Sequence, residues 1–135
     1  MLSTDKIKDL LSHGENKQVE FKKCTDKVSA SVYETVCSFL NAEGGYIFLG
    51  VDDDGTILGI NPKCVTDMTK SIINTLNNPE QFLPPMPITP EQTEIDGKII
   101  LYLNVPESEQ VHRYKNRFYD RWGDADNDVS KHTYL

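Results

Sequence analysis

Apolar and polar residues alternate with different periods in different segments of the first 51 residues. Apolar side chains recur every three or four positions over residues 4–12 and 27–41, which predicts two amphipathic helices. Between them, the segment KQVEFKK at 17–23 alternates apolar with polar residues and predicts a half-buried strand. The run YIFLGV at 46–51 is continuously apolar, which predicts a central strand that is covered on both faces.

Turn residues and prolines divide the middle of the chain. Asp54 and Gly55 form a turn signal, so we predict that the central strand continues into a hairpin with residues 56–60. Asn61 and Pro62 then open a second long helix. A proline-rich stretch at 77–87 follows it and predicts an irregular loop.

Two more hairpins are predicted toward the C terminus. Asp96 and Gly97 join residues 88–95 to residues 98–105, and residues 111–122 fold around a turn at 115–116. Hairpins mixed among helices are typical of an α+β domain rather than of a doubly wound parallel sheet. We therefore predict one compact α+β domain, in which a mixed or antiparallel sheet is packed by two long helices and a short N-terminal helix.

The charge of the chain is acidic but unevenly distributed. Its 21 acidic and 14 basic residues give a net charge of −7, which argues against nucleic-acid binding over the whole surface. Residues 111–122 have a net positive charge, because their four basic residues outnumber one acid, Asp120. These bases alternate with aromatic residues. This composition predicts a narrow arm for nucleic acid, and the alternative is an ordinary hairpin with one solvated face. The bases of the arm are Arg113, Lys115, Arg117 and Arg121.

Composition also excludes several classes of protein. No apolar run approaches the roughly 20 residues of a membrane helix, and no signal-peptide pattern follows the start, so we expect a cytoplasmic protein without a membrane partner. Three cysteines without a CxxC pair exclude a disulfide framework and a zinc knuckle. The absence of a GxxxxGK[ST] loop excludes a P-loop ATPase.

Carboxylates at two strand ends form a candidate metal site. Glu15 and Glu20 flank the start of the first strand, and Asp53 follows the central strand. Three convergent carboxylates suit Mg²⁺ or Mn²⁺, which polarise phosphodiesters and activate water. Because Glu15 and Glu20 are an odd number of residues apart, residues 14–17 must loop for both to meet one ion. The alternative is that Glu20 faces solvent and the aspartates serve the turn.

Three segments together resemble a known family. The sequences GENKQVEFKK, VCSFLNAEGGYIFLGVDDDGTILGI and RFYDRWGD occur in the order typical of the Schlafen AlbA-like domain, and the resemblance covers nearly the whole chain. It implies a small α+β domain that binds nucleic acid, DNA or RNA, in the manner of a transcription regulator. In the ribonuclease branch three carboxylates cleave RNA, and they would correspond here to Glu15, Glu20 and Asp53. We also expect Lys22 and Lys23 to contact phosphate.

The chain departs from the Schlafen nucleases in two respects. Those proteins resemble two such lobes joined in a horseshoe with a Cys/His zinc site, whereas this chain has one lobe, and Cys24, Cys37 and Cys64 do not reproduce that site. We therefore expect a homodimer. Many relatives carry further domains, so residues 1–135 are expected to be one domain and the N-terminal part of a longer protein. Three functions stay open: nucleic-acid binding, metal-dependent endoribonuclease activity, and protein assembly.

Overall fold

A computed structural model describes residues 1–131 and shows an α+β fold built on a four-stranded mixed sheet. The helices are α1 (Thr4–Ser12), α2 (Ala30–Leu40) and α3 (Val65–Asn77). The strands are β1 (Val19–Lys22), β2 (Gly45–Leu49), β3 (Phe82–Leu83), β4 (Glu91–Ile95), β5 (Lys98–Val105), β6 (Arg113–Tyr114), β7 (Tyr119–Trp122) and β8 (Ala125–Asp128). The predicted fold class is confirmed, and so are the three helices in chain order.

The main sheet has the strand order β1-β2-β5-β4, and its two faces build two separate hydrophobic cores. Strand β1 runs parallel to β2, and β5 runs antiparallel to both β2 and β4. Along β2, Ile47 and Leu49 pack in the core that contains α2 and α3, whereas Phe48 packs in the core that contains α1. The central strand is thus covered on both faces, as its apolar run predicts.

Strand β1 uses the same alternation to divide its side chains. Val19 and Phe21 are buried in the core on the α1 side. Because successive side chains of a strand point to opposite faces, Glu20 and Lys22 lie on the α2 side of the sheet. This arrangement places two charged groups where the sheet meets α2.

The prediction of a hairpin between the central strand and residues 56–60 is right around the turn and wrong along β2. Beside the turn at Asp54 and Gly55, Val51 and Ile57 form an antiparallel bridge, and the N–H groups of Asp52 and Leu58 donate to the carbonyl oxygens of Thr56 and Gly50. Both edges of β2 are already hydrogen-bonded, one to β1 and the other to β5. Residues 56–60 therefore have no free edge of β2 to pair with.

The predicted hairpin over residues 111–122 is also wrong beyond its turn. Lys115 and Asn116 adopt positive φ angles of 49° and 63°, and the Tyr114 and Arg117 backbones exchange hydrogen bonds around them. The flanking strands then separate, because β6 pairs with β3 and β7 pairs with β8. The polar segment after Trp122 thus supplies β8, and the last residues, 132–135, lie outside the described residues.

His112 joins three loops behind the sheet. Its Nδ1 lies 2.8 Å from the Pro84 carbonyl oxygen and its Nε2 lies 2.8 Å from Ser108 Oγ. Its backbone N–H donates to Asn41 Oδ1 at 2.7 Å. The residue is 1% exposed, and this burial lowers the pKa of its imidazole below the ordinary value.

We expect His112 to make the stability of the fold depend on pH. Because its pKa is lower in the folded state, the unfolded state binds the proton first, and the free energy of unfolding falls as the pH decreases below about 6.5. Urea unfolding of the native protein and of His112→Gln measures the free energy of unfolding at each pH between 7.5 and 5. Plotted against pH, this free energy should fall more steeply toward pH 5 for the native protein than for the variant. Parallel curves would contradict this assignment.

None of the helices among residues 1–131 has the length and apolar character that crossing a bilayer requires.

Candidate functional site

Arg121 lies at the centre of the contact between β7, β1 and α2. Its side chain is 0% exposed, and its two terminal nitrogens lie 2.9 Å from Glu20 Oε1 and 2.9 Å from Asp126 Oδ1. The guanidinium also donates to the carbonyl oxygens of Asn16 and Lys17, at 2.8 and 3.3 Å. Although the sequence predicts Arg121 as a phosphate contact, the structure places it inside the domain with its donors already used.

Three further contacts fix this network to α2. Asp126 accepts hydrogen bonds from Thr35 Oγ1 and Ser38 Oγ, both on α2. The guanidinium carbon of Arg121 lies 4.8 Å from the centroid of the Phe39 ring, a cation–π arrangement. Arg121 and Asp126 therefore attach the β7–β8 hairpin to α2 and, through Glu20, to the main sheet.

Glu15 and Glu20 meet because the chain turns sharply between them. An isolated bridge between Asn16 and Val19 folds residue 15 back beside β1, where Glu15 Oε2 accepts the Phe21 N–H at 3.2 Å. The loop over residues 14–17 that the spacing requires is therefore present. Burial and a hydrogen bond with Glu15 raise the pKa of Glu20 above its ordinary value, while Lys22 and Arg121 act in the opposite direction and favour the carboxylate.

Asp53 shares a cavity with Glu15 and Glu20, but the three carboxylates do not form a metal site as they are arranged. Asp53 is exposed on the loop that follows β2. Glu20 is held by Arg121 and lies 3.8 Å from Lys22 Nζ. Within residues 1–131, no three His, Cys, Asp or Glu side chains are placed to hold a metal ion. The three carboxylates alone therefore do not form a complete set of ligands, and Mg²⁺ or Mn²⁺ would need the phosphate of a bound substrate in addition to one or two of them.

The shared cavity has a volume of about 700 Å³ and lies between the end of β1 and the start of α2. Three lysines line it, and we call it the lysine cavity; they are Lys22, Lys23 and Lys27. Ser29 and Ser31 add two hydroxyl groups, hydrogen-bonded to each other at 2.9 Å. Sequence reasoning identifies Lys22 and Lys23 but misses Lys27, whose only signal is a run of lysine and hydroxyl residues before the helix.

The structure does not gather the remaining predicted bases into one arm. Arg113 is half-buried on β6, and Lys115 is exposed at the turn, with its Nζ 5.4 Å from the centroid of the Tyr114 ring. Arg117 forms an ion pair with Asp128 at 2.7 Å, and the hydrogen bond from Arg117 lowers the pKa of Asp128 to about 2. Of the bases in residues 111–122, Lys115 alone lines one of the described cavities.

A comparison with known protein families identifies the family of this chain. The chain matches the family model described as Schlafen, AlbA_2 over residues 15–130, and it therefore belongs to that family.

Among the solved structures that are similar to the chain, two illustrate the likeness. One is the N-terminal domain of a protein from Nitrosomonas europaea described as related to the ATP-dependent DNA helicase RecG, with 26% identity and a TM-score of 0.62 over 81% of this chain and 76% of that chain. The other is the DIP2311 protein from Corynebacterium diphtheriae, with 16% identity and a TM-score of 0.62 over 84% of this chain and 25% of that chain. The search of curated proteins gives no match.

Proposed function

We propose that this domain binds nucleic acid, and that the lysine cavity is where phosphate enters. The observation that carries the proposal is the convergence of Lys22, Lys23 and Lys27 on one cavity in a chain whose net charge is −7. Lysine ammonium groups neutralise phosphates and release counterions, which supplies most of the affinity in sequence-independent binding. Family membership and the similarity to a RecG-related protein support the same proposal.

Four acids also line the cavity, namely Glu15, Glu20, Asp26 and Asp53, and Lys22 is only 14% exposed beside Glu20, so the exposed Lys23 and Lys27 are the lysines most open to a ligand. Glu20 is compensated from inside by Arg121, which is fully buried. Lys23 faces Asp52 at 3.6 Å, but its side chain is 62% exposed, and exposed ion pairs of this kind contribute little. A phosphate can therefore replace Asp52 as the partner of Lys23 at small cost.

We expect labelled RNA or duplex DNA to bind at low salt and to dissociate as salt rises. The slope of log K against log salt should decrease by roughly 1 for each lysine removed, because each phosphate contact releases about one counterion. Fluorescence anisotropy of the native protein and of the Lys22→Gln and Lys23→Gln variants measures this slope. Lys70→Gln, an exposed lysine of α3 outside the cavity, is the matched control. The proposal fails if neither nucleic acid binds at low salt, or if the control lowers the slope equally.

A metal-dependent endoribonuclease is the second candidate function. One observation favours it, namely that Glu15, Glu20 and Asp53 line the same cavity as the lysines. Incubation of structured RNA with Mn²⁺ or Mg²⁺ tests it directly. Cleavage that disappears in Asp53→Asn would establish the activity, whereas RNA that stays intact under conditions where it binds would restrict the domain to binding.

Two finer proposals accompany nucleic-acid binding, one on association and one on biological role. We propose that two copies associate to enlarge the nucleic-acid surface, which light scattering coupled to size-exclusion chromatography would measure. A role in transcription regulation is the biological setting that we propose for a domain of this family. A protein-assembly module is the outcome that remains if neither binding nor cleavage of nucleic acid is observed.

A further inference from the structure

A second cavity lies on the other side of the segment that precedes and opens α2. Residues 27–31 separate the two cavities, because Lys27, Ser29 and Ser31 line the lysine cavity whereas Val28 and Ala30 line the second one. The second cavity has a volume of about 490 Å³. Its far wall carries three side-chain amides, and we call it the amide cavity; they are Asn74, Asn78 and Gln81. The two cavities thus share one thin wall.

The amides of the second cavity are available to a ligand. Within residues 1–131, the side chains of Asn74 and Gln81 have no hydrogen-bond partner, and Asn78 uses only its Oδ1, which accepts the Glu80 N–H at 3.0 Å. Each amide offers donors and an acceptor in one plane. This is the pattern that reads the edge of a nucleobase, as when Asn or Gln pairs with adenine.

The inner wall of the amide cavity is rigid. The rings of Tyr33 and Tyr114 are 6% and 4% exposed and lie 5.5 Å apart, so they form an apolar wall behind the amides. Lys115 lies in a tight turn and lines the cavity. Its own backbone N–H donates to the Gln81 carbonyl oxygen at 2.8 Å. That bond ties the Lys115 turn to the segment that carries Gln81.

We propose that a single-stranded nucleic acid crosses residues 27–31, with a phosphate in the lysine cavity and an unpaired base in the amide cavity. The inference rests on the proposed function and narrows it to single strands. A base inside a duplex has its pairing edge occupied, whereas an unpaired base can turn that edge toward protein amides. The lysine cavity supplies affinity for any strand, and the amide cavity makes the affinity depend on the base.

Anisotropy with labelled eight-nucleotide strands tests the two cavities separately. The probes are the four homopolymers, as RNA and as DNA, an abasic strand of the same length, and a duplex. We expect Asn74→Ala and Gln81→Ala to weaken binding of the preferred homopolymer by about 10-fold, the scale of a lost base contact, without changing binding of the abasic strand. Lys22→Gln should weaken every probe, the abasic strand included. Asn77→Ala is the control, because its side chain donates to the Ile73 carbonyl oxygen and does not line the cavity.

The outcomes separate this inference from the function on which it rests. Equal affinity for abasic and base-containing strands, or amide variants that bind like the native protein, would overturn the inference and leave nucleic-acid binding intact. Stronger binding of the duplex than of every single strand would do the same. If no probe binds at low salt, both proposals fail. A difference in affinity between the RNA and DNA strands of the same base would identify which of the two is the ligand.

Discussion

Replacing Arg121 with methionine is expected to lower the free energy of unfolding by about 3–5 kcal/mol, the usual cost of removing one partner from a buried ion pair. Methionine fills much of the same volume but offers no donors. Glu20 and Asp126 would then face each other without the cation that lies 2.9 Å from each of them. The carbonyl oxygens of Asn16 and Lys17 would also lose their donor. The substitution therefore leaves buried carboxylates without their cation, which costs more than the loss of one contact.

Arg117→Met is the matched control for this prediction. Arg117 also pairs with an aspartate, Asp128, at 2.7 Å, but its side chain is 49% exposed. Urea unfolding should show a large loss for Arg121→Met and a clearly smaller loss for Arg117→Met, because water screens the exposed pair. The triple variant in which Glu20→Gln and Asp126→Asn accompany Arg121→Met should recover part of the loss. Equal effects of the two single methionine variants would contradict the buried role of Arg121.

This network changes how substitutions of Glu20 are interpreted. A nuclease test based on Glu20→Ala would remove a partner of Arg121, so lost activity would also follow from lost structure. Asp53 gives the cleaner test, because it is exposed and its backbone N–H donates to Asp52 Oδ1 independently of its own carboxylate. Activity assays should therefore compare Asp53→Asn with the native protein and use Glu20→Gln as a measure of folding.

The sequence predicts local features of this fold well and strand partners poorly. Helical periodicity identifies α1, α2 and α3, because the spacing of apolar residues is a local property of each helix. The turn at Lys115 and Asn116 is likewise visible in the sequence. Which strands pair beyond a turn depends on strand edges that distant segments of the chain supply. Strand β6, for example, pairs with β3 rather than with β7, which follows it in the chain. A hairpin signal therefore predicts the turn but not the sheet.

The candidate site shows the same division. The spacing of Glu15 and Glu20 predicts that residues 14–17 must loop if the two are to meet, and the structure has that loop. The sequence predicts Arg121 at the surface, because it is one of four bases that alternate with aromatic residues over 111–122, a composition typical of phosphate contacts. Its burial depends on Asp126, which lies on β8 in a segment without apolar periodicity. The family motif contains Glu20 and Arg121, but only the fold shows that they pair.

Asn41 gives the second large effect that we expect. Its Nδ2 donates to the carbonyl oxygens of His112 and Tyr119, both at 2.9 Å, and its Oδ1 accepts the His112 N–H at 2.7 Å. One side chain thus holds both ends of the segment that carries Lys115. Asn41→Ala leaves the His112 N–H and the Tyr119 carbonyl oxygen without this partner, and the His112 carbonyl oxygen keeps only the Cys37 thiol at 3.2 Å. We expect a loss of about 2–4 kcal/mol, since each unsatisfied buried group costs roughly 1–3 kcal/mol.

Asn41→Asp separates hydrogen bonding from packing at the same position. Aspartate keeps an acceptor for the His112 N–H, but its second oxygen would face two carbonyl oxygens, so we expect it to be no more stable than alanine. Asn104→Ala, at an exposed asparagine of β5, should leave stability nearly unchanged. Amide hydrogen exchange should accelerate over residues 112–119 in Asn41→Ala, because the segment loses both attachments. If Asn41→Asp retains native stability and native exchange rates, the amide nitrogen is not what holds this segment in place.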